Sequence, residues 1–428
     1  MKRLLILLVA ILFAGSAANS IRLAEVAASS QYLAPFRNHP AIAYATKPRE
    51  DPVSELNRKI QTGQVQLTFD SQSGYLRSVL EALNVPIESQ VAVFSKTSLQ
   101  SSIIGPRNPR TIFFNDSVAV ALAHGGSIEL AATDPQQGVI FYVLYQQQAR
   151  KPEFRRTEEC LGCHISSATL RVPGLAVGSV FPESDGTPVP GAPTFISDHR
   201  SPLEQRWGGW YVTGLSGATR HMGNAVVKNA GKPELMVAED NLNLQSLRER
   251  FDTDPYLSPY SDIAALMVLE HQAHMTNLLT RVGWEVRVAL FEKRQFQPLL
   301  QNRAKELVDY LLFVDEAALT ARIQGTSGFA EKFALLGPRD KKGRSLRDLD
   351  LTRRLMRYPC SYMIYSAAFD GLPTEARNEI YQRMWQILSG REKDRKYVRL
   401  SFADRQAIVE ILRETREGLP KYFLPLPK

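Results

Sequence analysis

The alternation of apolar and polar positions predicts short helices and strands in the first third of the chain. Val53–Ile60 and Leu76–Leu83 carry apolar residues at helical spacing. Around them lie short runs of β-branched and aromatic residues, bounded by polar turns, which are typical of strands. The predicted strands are Gln64–Phe69, Val91–Phe94, Thr111–Phe114 and Val139–Tyr145.

The remainder of the chain changes from strands and turns to helices. Leu175–Phe181 and Trp207–Thr213 have the composition of strands and are separated by turns rich in Gly and Pro. After Ser261 the apolar residues recur at helical spacing, and Ser261–Asp262 and Ser401–Asp404 have the pattern of helix N-terminal caps. The predicted helices are Ile263–Val282, Pro298–Leu312, Leu346–Met356, Thr374–Leu388 and Ala403–Leu412.

These elements together predict an α+β fold whose chain divides into three regions after an N-terminal leader. Residues 19–150 are expected to form a mixed α/β region with short strands. Residues 151–230 form a central region rich in Gly, Pro and aromatic residues, and residues 231–428 a mainly helical C-terminal region. We expect the mainly helical C-terminal region to pack on the central region.

Residues 1–18 have the three parts of a secretory signal peptide. Lys2 and Arg3 give a positive start, Leu4–Ala14 is an apolar run, and Gly15–Ala18 supplies small residues for cleavage. The apolar run is shorter than the about 17–25 residues that are needed to span a bilayer. We therefore expect an exported, periplasmic protein with no stable membrane anchor after cleavage of the signal peptide.

The composition changes this picture mainly through the cysteines. The chain has 428 residues, 44% of them hydrophobic, which suffices for a large core and excludes a disordered chain. Three cysteines are too few for a disulfide scaffold, so a cysteine that matters here is expected to matter chemically. The formal net charge of +8 is spread thinly, and basic residues do not alternate with aromatic ones as in nucleic-acid-binding patterns. We expect no nucleic-acid partner.

One segment carries a specific chemical signature, the CxxCH motif formed by Cys160, Cys163 and His164. Its spacing sets two thiols on one side of a tight turn, where each forms a thioether with a haem vinyl group, and the adjacent histidine binds the iron from the proximal face. With three cysteines and seven histidines in 428 residues, the motif arises by chance with a probability of about two in ten thousand. It predicts one covalently bound haem c per chain.

Three other chemistries remain open for this pair of cysteines. Cys160 and Cys163 are able to bind zinc together with two histidines, although the chain has no second CxxC motif. They are able to form a redox-active disulfide, although no predicted strand leads directly into Cys160, as one does in thioredoxin-like proteins. A structural disulfide in an oxidising compartment is the third alternative.

Longer segments resemble a known family. The sequences CLGCH, DHRSPLEQRWGGWYVTG, RHMGN, LEHQ and RYPCSYMIYSAAFDGLP are similar to those of secreted bacterial proteins described only as cytochrome c domain-containing. The resemblance covers most of the mature chain. It implies haem attachment through Cys160 and Cys163, with His164 as the proximal ligand, and it implies no substrate. Strands, turns and prolines follow His164, so the compact helical fold of small soluble cytochromes c is not expected.

The ligand on the other side of the iron separates an electron carrier from a catalyst. His221 and Met222 follow the predicted strand Trp207–Thr213 through a Gly-rich loop that is able to bring either side chain over a haem. His271, on the apolar face of a predicted helix, is an alternative ligand. The structural interpretations are a surface turn for the first two residues and a hydrogen-bonded core histidine for the third.

The segment around His199 contains further candidates. His199 and the adjacent Asp198 are candidate catalytic groups above an open iron. Arg200, Arg206 and Arg220 are candidate partners of the haem propionates, because a buried carboxylate needs a charge-assisted donor. An ordinary polar turn is the alternative interpretation of residues 197–201.

Aromatic residues are expected to wall the haem site. On the predicted strand Trp207–Thr213, Trp207 and Tyr211 share one face and Trp210 points to the other, so one face is available to the haem and the other to core packing. Cys360 stands alone in apolar surroundings and is expected to be a buried, inert thiol.

The sequence therefore predicts an exported monohaem c-type cytochrome that exchanges single electrons with a redox partner protein. The alternative is a haem-dependent oxidoreductase or small-molecule sensor in which the distal iron position is open. A zinc-stabilised interaction protein is the third class. The sequence predicts neither a substrate, nor a reduction potential, nor the identity of the partner.

Overall fold

The computed structural model describes residues 34–229, 231–232 and 241–426. These residues form an α+β fold, in which helices pack on both faces of a seven-stranded antiparallel sheet. The predicted signal peptide lies outside the described residues. The fold class predicted from the sequence is confirmed.

The large sheet has the strand order β6-β5-β4-β3-β2-β1-β9, and neighbouring strands are antiparallel. Its strands are β1 (Val91–Val93), β2 (Arg110–Phe114), β3 (Val118–Leu122), β4 (Ile128–Asp134), β5 (Gly138–Leu144), β6 (Arg155–Arg156) and β9 (Trp210–Tyr211). The sequence predicted β1, β2, β5 and β9 and missed β3 and β4, both of which are rich in alanine. Alanine has low strand propensity, so pairing with neighbours, rather than composition, makes these two segments strands.

The strand predicted at Gln64–Phe69 is wrong. The segment has no hydrogen-bonded partner strand. Instead, the amide of Thr68 donates to Oγ of Ser78 on the following helix, at 3.0 Å. A β-rich run without a neighbouring strand edge cannot form a ladder, so its backbone groups are satisfied locally.

Two helices cover one face of the sheet. Helices α1 (Pro52–Gln61) and α2 (Leu76–Ala82) were both predicted, and their buried residues share one hydrophobic core with alternate residues of β2–β5. Asp51 caps α1 by accepting from the amides of Val53 and Ser54, and it also accepts from the hydroxyl of Tyr142 on β5, at 2.6 Å. The cap therefore fixes the helix to the sheet.

The central region lies over the opposite face. It contains the single helical turn α3 (Leu161–His164) and the two-stranded sheet of β7 (Val177–Ser179) and β8 (Phe195–Ser197). The strand predicted at 175–181 is thus shorter than expected, and that at 207–213 is reduced to β9. Trp207 has a positive φ of 70° and lies before the strand, so the predicted shared face of Trp207 and Tyr211 is wrong.

A long central helix, α4 (Ile263–Phe291), joins the central region to the C-terminal helices. Its 29 residues span about 44 Å at 1.5 Å per residue. Asp262 is the predicted N-cap and accepts from the amides of Ala264 and Ala265. Nearly all of the helix is buried, because β5 and β7 contact one side of it and C-terminal helices contact the others.

The described C-terminal helices are α5 (Gln297–Leu311), α6 (Phe329–Leu335), α7 (Ala367–Asp370), α8 (Thr374–Leu388) and α9 (Phe402–Thr415). Of these, α5, α8 and α9 were predicted, whereas α6 and α7 were not. The predicted capping box of α9 is present, with Ser401 and Asp404 bonded to each other's backbone. The helix predicted at 346–356 is wrong, because Asp348 and Asp350 accept from nearby amides in turns, in competition with helical hydrogen bonds.

One hydrophobic core draws on all three predicted regions. Val93 and Phe114 of the sheet, Val177 of the central region and Met267 of α4 belong to the same buried cluster, which continues into the C-terminal helices. Within the described ranges, no helix is both long and apolar enough to cross a membrane.

Candidate functional site

The CxxCH motif forms one tight helical turn at the edge of the central region. The amides of Cys163 and His164 both donate to the carbonyl of Cys160, at 3.2 and 3.0 Å. Gly162 lies on the outside of the turn, where an added Cβ atom would meet nothing within 4 Å. The turn thus brings two free thiols and an imidazole close together, as the sequence predicts.

A cavity of about 410 Å³ opens beside this turn and is lined by Cys160, Cys163 and His164 together. Its volume is within the about 300–1,000 Å³ typical of small-molecule and cofactor sites. The sheet, the β7 segment and helix α4 provide the apolar part of the wall. The apolar residues that line the cavity are Val93, Leu99, Ile112, Ala119, Ala121, Leu130, Ala131, Phe141, Leu175, Ala176, Val177, Gly178, Trp210, Leu269 and Ala273.

Small side chains on one face of the sheet make the room for this cavity. Ala121 of β3 pairs with Ile112 of β2, and Ala119 of β3 pairs with Ala131 of β4. Because side chains alternate along a strand, these residues share the face that is turned away from α1 and α2. Larger side chains at the three alanines would fill the space that forms the cavity.

His164 is held by a backbone carbonyl that fixes its tautomer. Its Nδ1 donates to the carbonyl oxygen of Gly174 at 2.7 Å, and the amide of Gly174 donates back to the carbonyl of His164 at 3.1 Å. The hydrogen bond to Nδ1 leaves Nε2 as the ring nitrogen that is available to a metal. Histidine ligands of metals usually donate their other ring nitrogen to a carbonyl or carboxylate in this way.

Asn277 of α4 holds the peptide next to Gly174. Its Oδ1 accepts from the amide of Leu175 at 2.9 Å, and its Nδ2 donates to the carbonyl of Leu175 at 2.7 Å. Gly174 packs so closely that an added Cβ would lie 2.0 Å from Oδ1 of Asn277. Only glycine fits there, so the long helix positions the carbonyl that orients His164.

Burial keeps His164 neutral. Desolvation lowers the pKa of its imidazole below the usual 6.5, although the hydrogen bond to Gly174 acts in the opposite direction. The ring lies against Phe141 of β5, with 4.8 Å between the ring centroids. A neutral, oriented imidazole is the form that binds a transition metal.

The two cysteines differ in their surroundings. Cys163 is exposed, whereas Cys160 is half-buried and burial, together with the charge of Glu129, raises the pKa of its thiol to about 11. Redox-active CxxC pairs depend on a lowered thiol pKa, so this environment does not favour a thioredoxin-like disulfide. Within the described part of the chain, no group of three His, Cys, Asp or Glu side chains is placed to hold a metal ion.

One ion pair faces the cavity, whose lining also contains the polar residues Thr97 and Ser98 and the acidic Glu159. Arg110 of β2 and Glu129 of β4 form an ion pair with 2.7 Å between Nη2 and Oε2. Neither residue was singled out in the sequence. A basic residue beginning one strand and an acidic one near the start of another give no sequence signal, because only the strand order of the folded sheet brings them together.

The candidate distal ligands His221 and Met222 lie outside the lining of this cavity. His221 is buried beside Trp207, with 5.2 Å between the ring centroids, and its Nδ1 accepts from the amide of Gly223 at 3.1 Å. Met222 packs in a small separate cluster, and its sulfur accepts from the hydroxyl of Ser179 at 3.5 Å. Both side chains therefore have structural contacts of their own.

His199 and His271 form a buried pair among the C-terminal helices, also away from the cavity lining. Their Nδ1 atoms are 2.8 Å apart and share a hydrogen bond, and Nε2 of His271 is 2.6 Å from Oγ of Ser361. The ring of Tyr310 stacks on His199 at 4.1 Å. Burial lowers the pKa of His271 to about 3 and that of His199 well below its usual value, so the pair is neutral.

The remaining candidates also lie outside the cavity lining. Asp198 forms an ion pair with Arg200, with 2.6 Å between Oδ2 and Nη2. Arg206 is buried and forms an ion pair with Glu270 of α4 at 3.1 Å. Arg220 is exposed. The candidate residues between 198 and 222 therefore lie apart from the cavity. Of the aromatic residues in this segment, Trp210 lines the cavity.

No protein-family model, curated protein or solved structure matches the chain. A function for this site therefore has to be inferred from its geometry and chemistry. It offers two thiols on one turn, a neutral imidazole fixed through Nδ1, and a largely apolar cavity beside all three. This arrangement suits the covalent attachment and axial ligation of a flat, iron-containing macrocycle.

Proposed function

We propose that the protein is a c-type cytochrome that binds one haem covalently through Cys160 and Cys163, with His164 as the proximal iron ligand, and exchanges single electrons with a redox partner protein. The observation that carries the proposal is the apolar cavity that both cysteines and His164 line together. The hydrogen bond from Nδ1 of His164 to Gly174 supports the same assignment, because it leaves Nε2 available.

The residues of the chain have distinct tasks in this proposal. The thiols of Cys160 and Cys163 tether the haem by adding to its vinyl groups, and the carbonyl of Gly174 keeps the proton on Nδ1 of His164. The alanine face of the sheet and Trp210 exclude water. The bound haem supplies a one-electron couple. The exposed side of Cys163 marks where an edge of the haem would approach solvent, which is the route for electron transfer to a partner.

Export fits this proposal. Covalent haem attachment in bacteria takes place outside the cytoplasm, and residues 1–18 have the pattern of a secretory signal peptide. We therefore propose a periplasmic protein. The proposal also accounts for the low cysteine count, since two of the three cysteines are used for the cofactor and the third, Cys360, is fully buried.

A pyridine haemochrome assay on protein made together with a haem-attachment system tests the proposal. We expect one covalent haem per chain in the unaltered protein and none in the double variant Cys160→Ser/Cys163→Ser. Cys360→Ala is the matched control, because it removes the thiol that lies outside the cavity, and it is expected to keep the haem. Protein that contains zinc and no haem under these conditions would refute the proposal.

A second candidate function is the binding of a small molecule at the iron. It is favoured by the positions of His221, Met222, His199 and His271, all of which have partners outside the cavity. The protein would then be a haem-dependent oxidoreductase or sensor. Absorption spectra with and without carbon monoxide distinguish the two functions: a spectrum that carbon monoxide leaves unchanged supports the electron carrier, and a shifted Soret band supports the ligand-binding protein.

A further inference from the structure

The ion pair of Arg110 and Glu129 occupies a defined place in the cavity. Ala121 of β3 lies between their strands and pairs directly with Glu129 across the β3–β4 ladder. Because Ala121 is small, the two long side chains meet over it on the face that lines the cavity. The sheet thus places one positive and one negative charge in a wall that is otherwise mostly apolar.

The pair is only partly shielded by the protein. The side chains of Arg110 and Glu129 are 23% and 14% exposed, and Nε of Arg110 is buried with no hydrogen-bond partner among the described residues. An arginine that uses one side of its guanidinium for the ion pair retains donors and charge toward the cavity. The pair therefore acts on whatever the cavity holds and is not closed off as a structural salt bridge.

Both charges act on the haem-attachment turn. The negative charge of Glu129 raises the pKa of the Cys160 thiol, and Arg110 opposes it. The same two charges act in opposite directions on the pKa of His164. Arg110 and Glu129 line the same cavity as Cys160 and His164, the residues that would hold the haem and its iron, so the pair lies close enough to influence that site electrostatically.

We propose that Arg110 and Glu129 set the reduction potential of the haem, Glu129 by stabilising the oxidised form and Arg110 by stabilising the reduced form. This inference rests on the proposed haem attachment. Adding one electron lowers the charge of an iron site by one, so a nearby carboxylate opposes reduction and a nearby guanidinium favours it. In a largely apolar cavity, such charges are screened less than in water.

A redox titration of the haem protein with mediators tests the inference. Glu129→Gln leaves Arg110 unopposed and is expected to shift the equilibrium toward the reduced form by about tenfold, or 59 mV for one electron. By Coulomb's law, a unit charge produces a shift of this size at a distance of roughly 12 Å when the effective dielectric constant is about 20. Arg110→Met is expected to produce a shift of opposite sign.

The double variant Arg110→Met/Glu129→Gln is expected to return the potential toward that of the unaltered protein, and it leaves no unpaired charge that would destabilise the fold. Glu285→Gln is the matched control, because Glu285 and Arg303 form an ion pair with the same 2.7 Å separation outside the cavity lining. This control is expected to leave the potential unchanged.

Shifts of the same sign in Glu129→Gln and Arg110→Met, or shifts no larger than that of Glu285→Gln, would overturn the inference. If one of the two single variants does not fold, the sign of the potential shift in the other variant tests the inference. Absence of covalent haem from the unaltered protein is a different result: it contradicts the proposed function itself, and it is established before any potential is measured.

Discussion

Replacing Asn277 by leucine removes the two hydrogen bonds that join helix α4 to the peptide beside His164. Oδ1 and Nδ2 of Asn277 satisfy both the amide and the carbonyl of Leu175. Leucine is similar in size but offers neither a donor nor an acceptor. The substitution therefore leaves two backbone groups without partners at a position where the helix side chain is 1% exposed.

The expected effect has a structural part and a spectroscopic part. A buried backbone group that loses its partner costs about 1–3 kcal/mol, so two such groups lower the free energy of unfolding by roughly 2–6 kcal/mol. Once Leu175 is released, Gly174 is no longer held, and its carbonyl no longer fixes the ring of His164. In the haem-bound protein we expect a mixture of axial ligation states and a broadened Soret band.

Urea denaturation and absorption spectroscopy measure these two effects. Thr276→Val is the matched control: the adjacent residue is also buried, but its hydroxyl bonds only to the carbonyl of Gln272 within the same helix. We expect it to change stability by less than about 1 kcal/mol and to leave the spectrum unaltered. The reasoning is refuted if Asn277→Leu behaves like Thr276→Val, or if stability falls while the haem spectrum is unchanged.

Two further predictions concern the cavity and acid stability. Ala121→Phe places a ring in the cavity, so we expect the variant to lose most of its covalent haem in the haemochrome assay. Leu122→Phe, on the opposite face of the same strand, is the control and is expected to retain the haem. Equal haem content in the two variants would contradict the assigned cavity. Burial lowers the pKa of His221 to about 4 from 6.5. Between pH 6.5 and about 4, the folded state therefore binds fewer protons at His221 than the unfolded state does. The free energy of unfolding then falls as the pH falls, and His221 accounts for at most about 3 kcal/mol of this loss. In urea titrations at pH 7 and 4.5, His221→Asn is expected to lose less stability than the unaltered protein, and an equal loss would exclude this cause.

The helical turn of the CxxCH motif was predictable because its residues are local in the sequence. Two cysteines and a histidine within five residues need only one helical turn to come together, and the structure forms that turn. The helix caps at Asp262 and Ser401 were predictable for the same reason, since a cap is decided by three or four consecutive residues. Where the physical cause is local, the sequence pattern predicts the structure well.

The cavity was not predictable because its causes are distant along the chain. Ala121 and Ala131 line the cavity. In the sequence, however, two alanines give no indication that a cavity will lie beside them in the fold. Gly174 and Asn277 are 103 residues apart, by their numbers, and meet only after α4 packs on the central region. The sequence instead pointed to His221 and Met222, which follow Trp207–Thr213. These residues are close to the predicted strand in the sequence, but in the fold they lie outside the cavity lining.

The size of the chain follows from how the site is supported. The CxxCH turn lines the cavity together with one face of the sheet, on which Ala119, Ala121 and Ala131 lie. Helix α4 supplies Leu269 and Ala273 to the cavity and Asn277 to the histidine loop. A helix buried on nearly all sides must itself be packed by others, which is the task of α5, α6 and α8. The C-terminal helices therefore support one wall of the cavity, and deleting them is expected to disrupt the cavity.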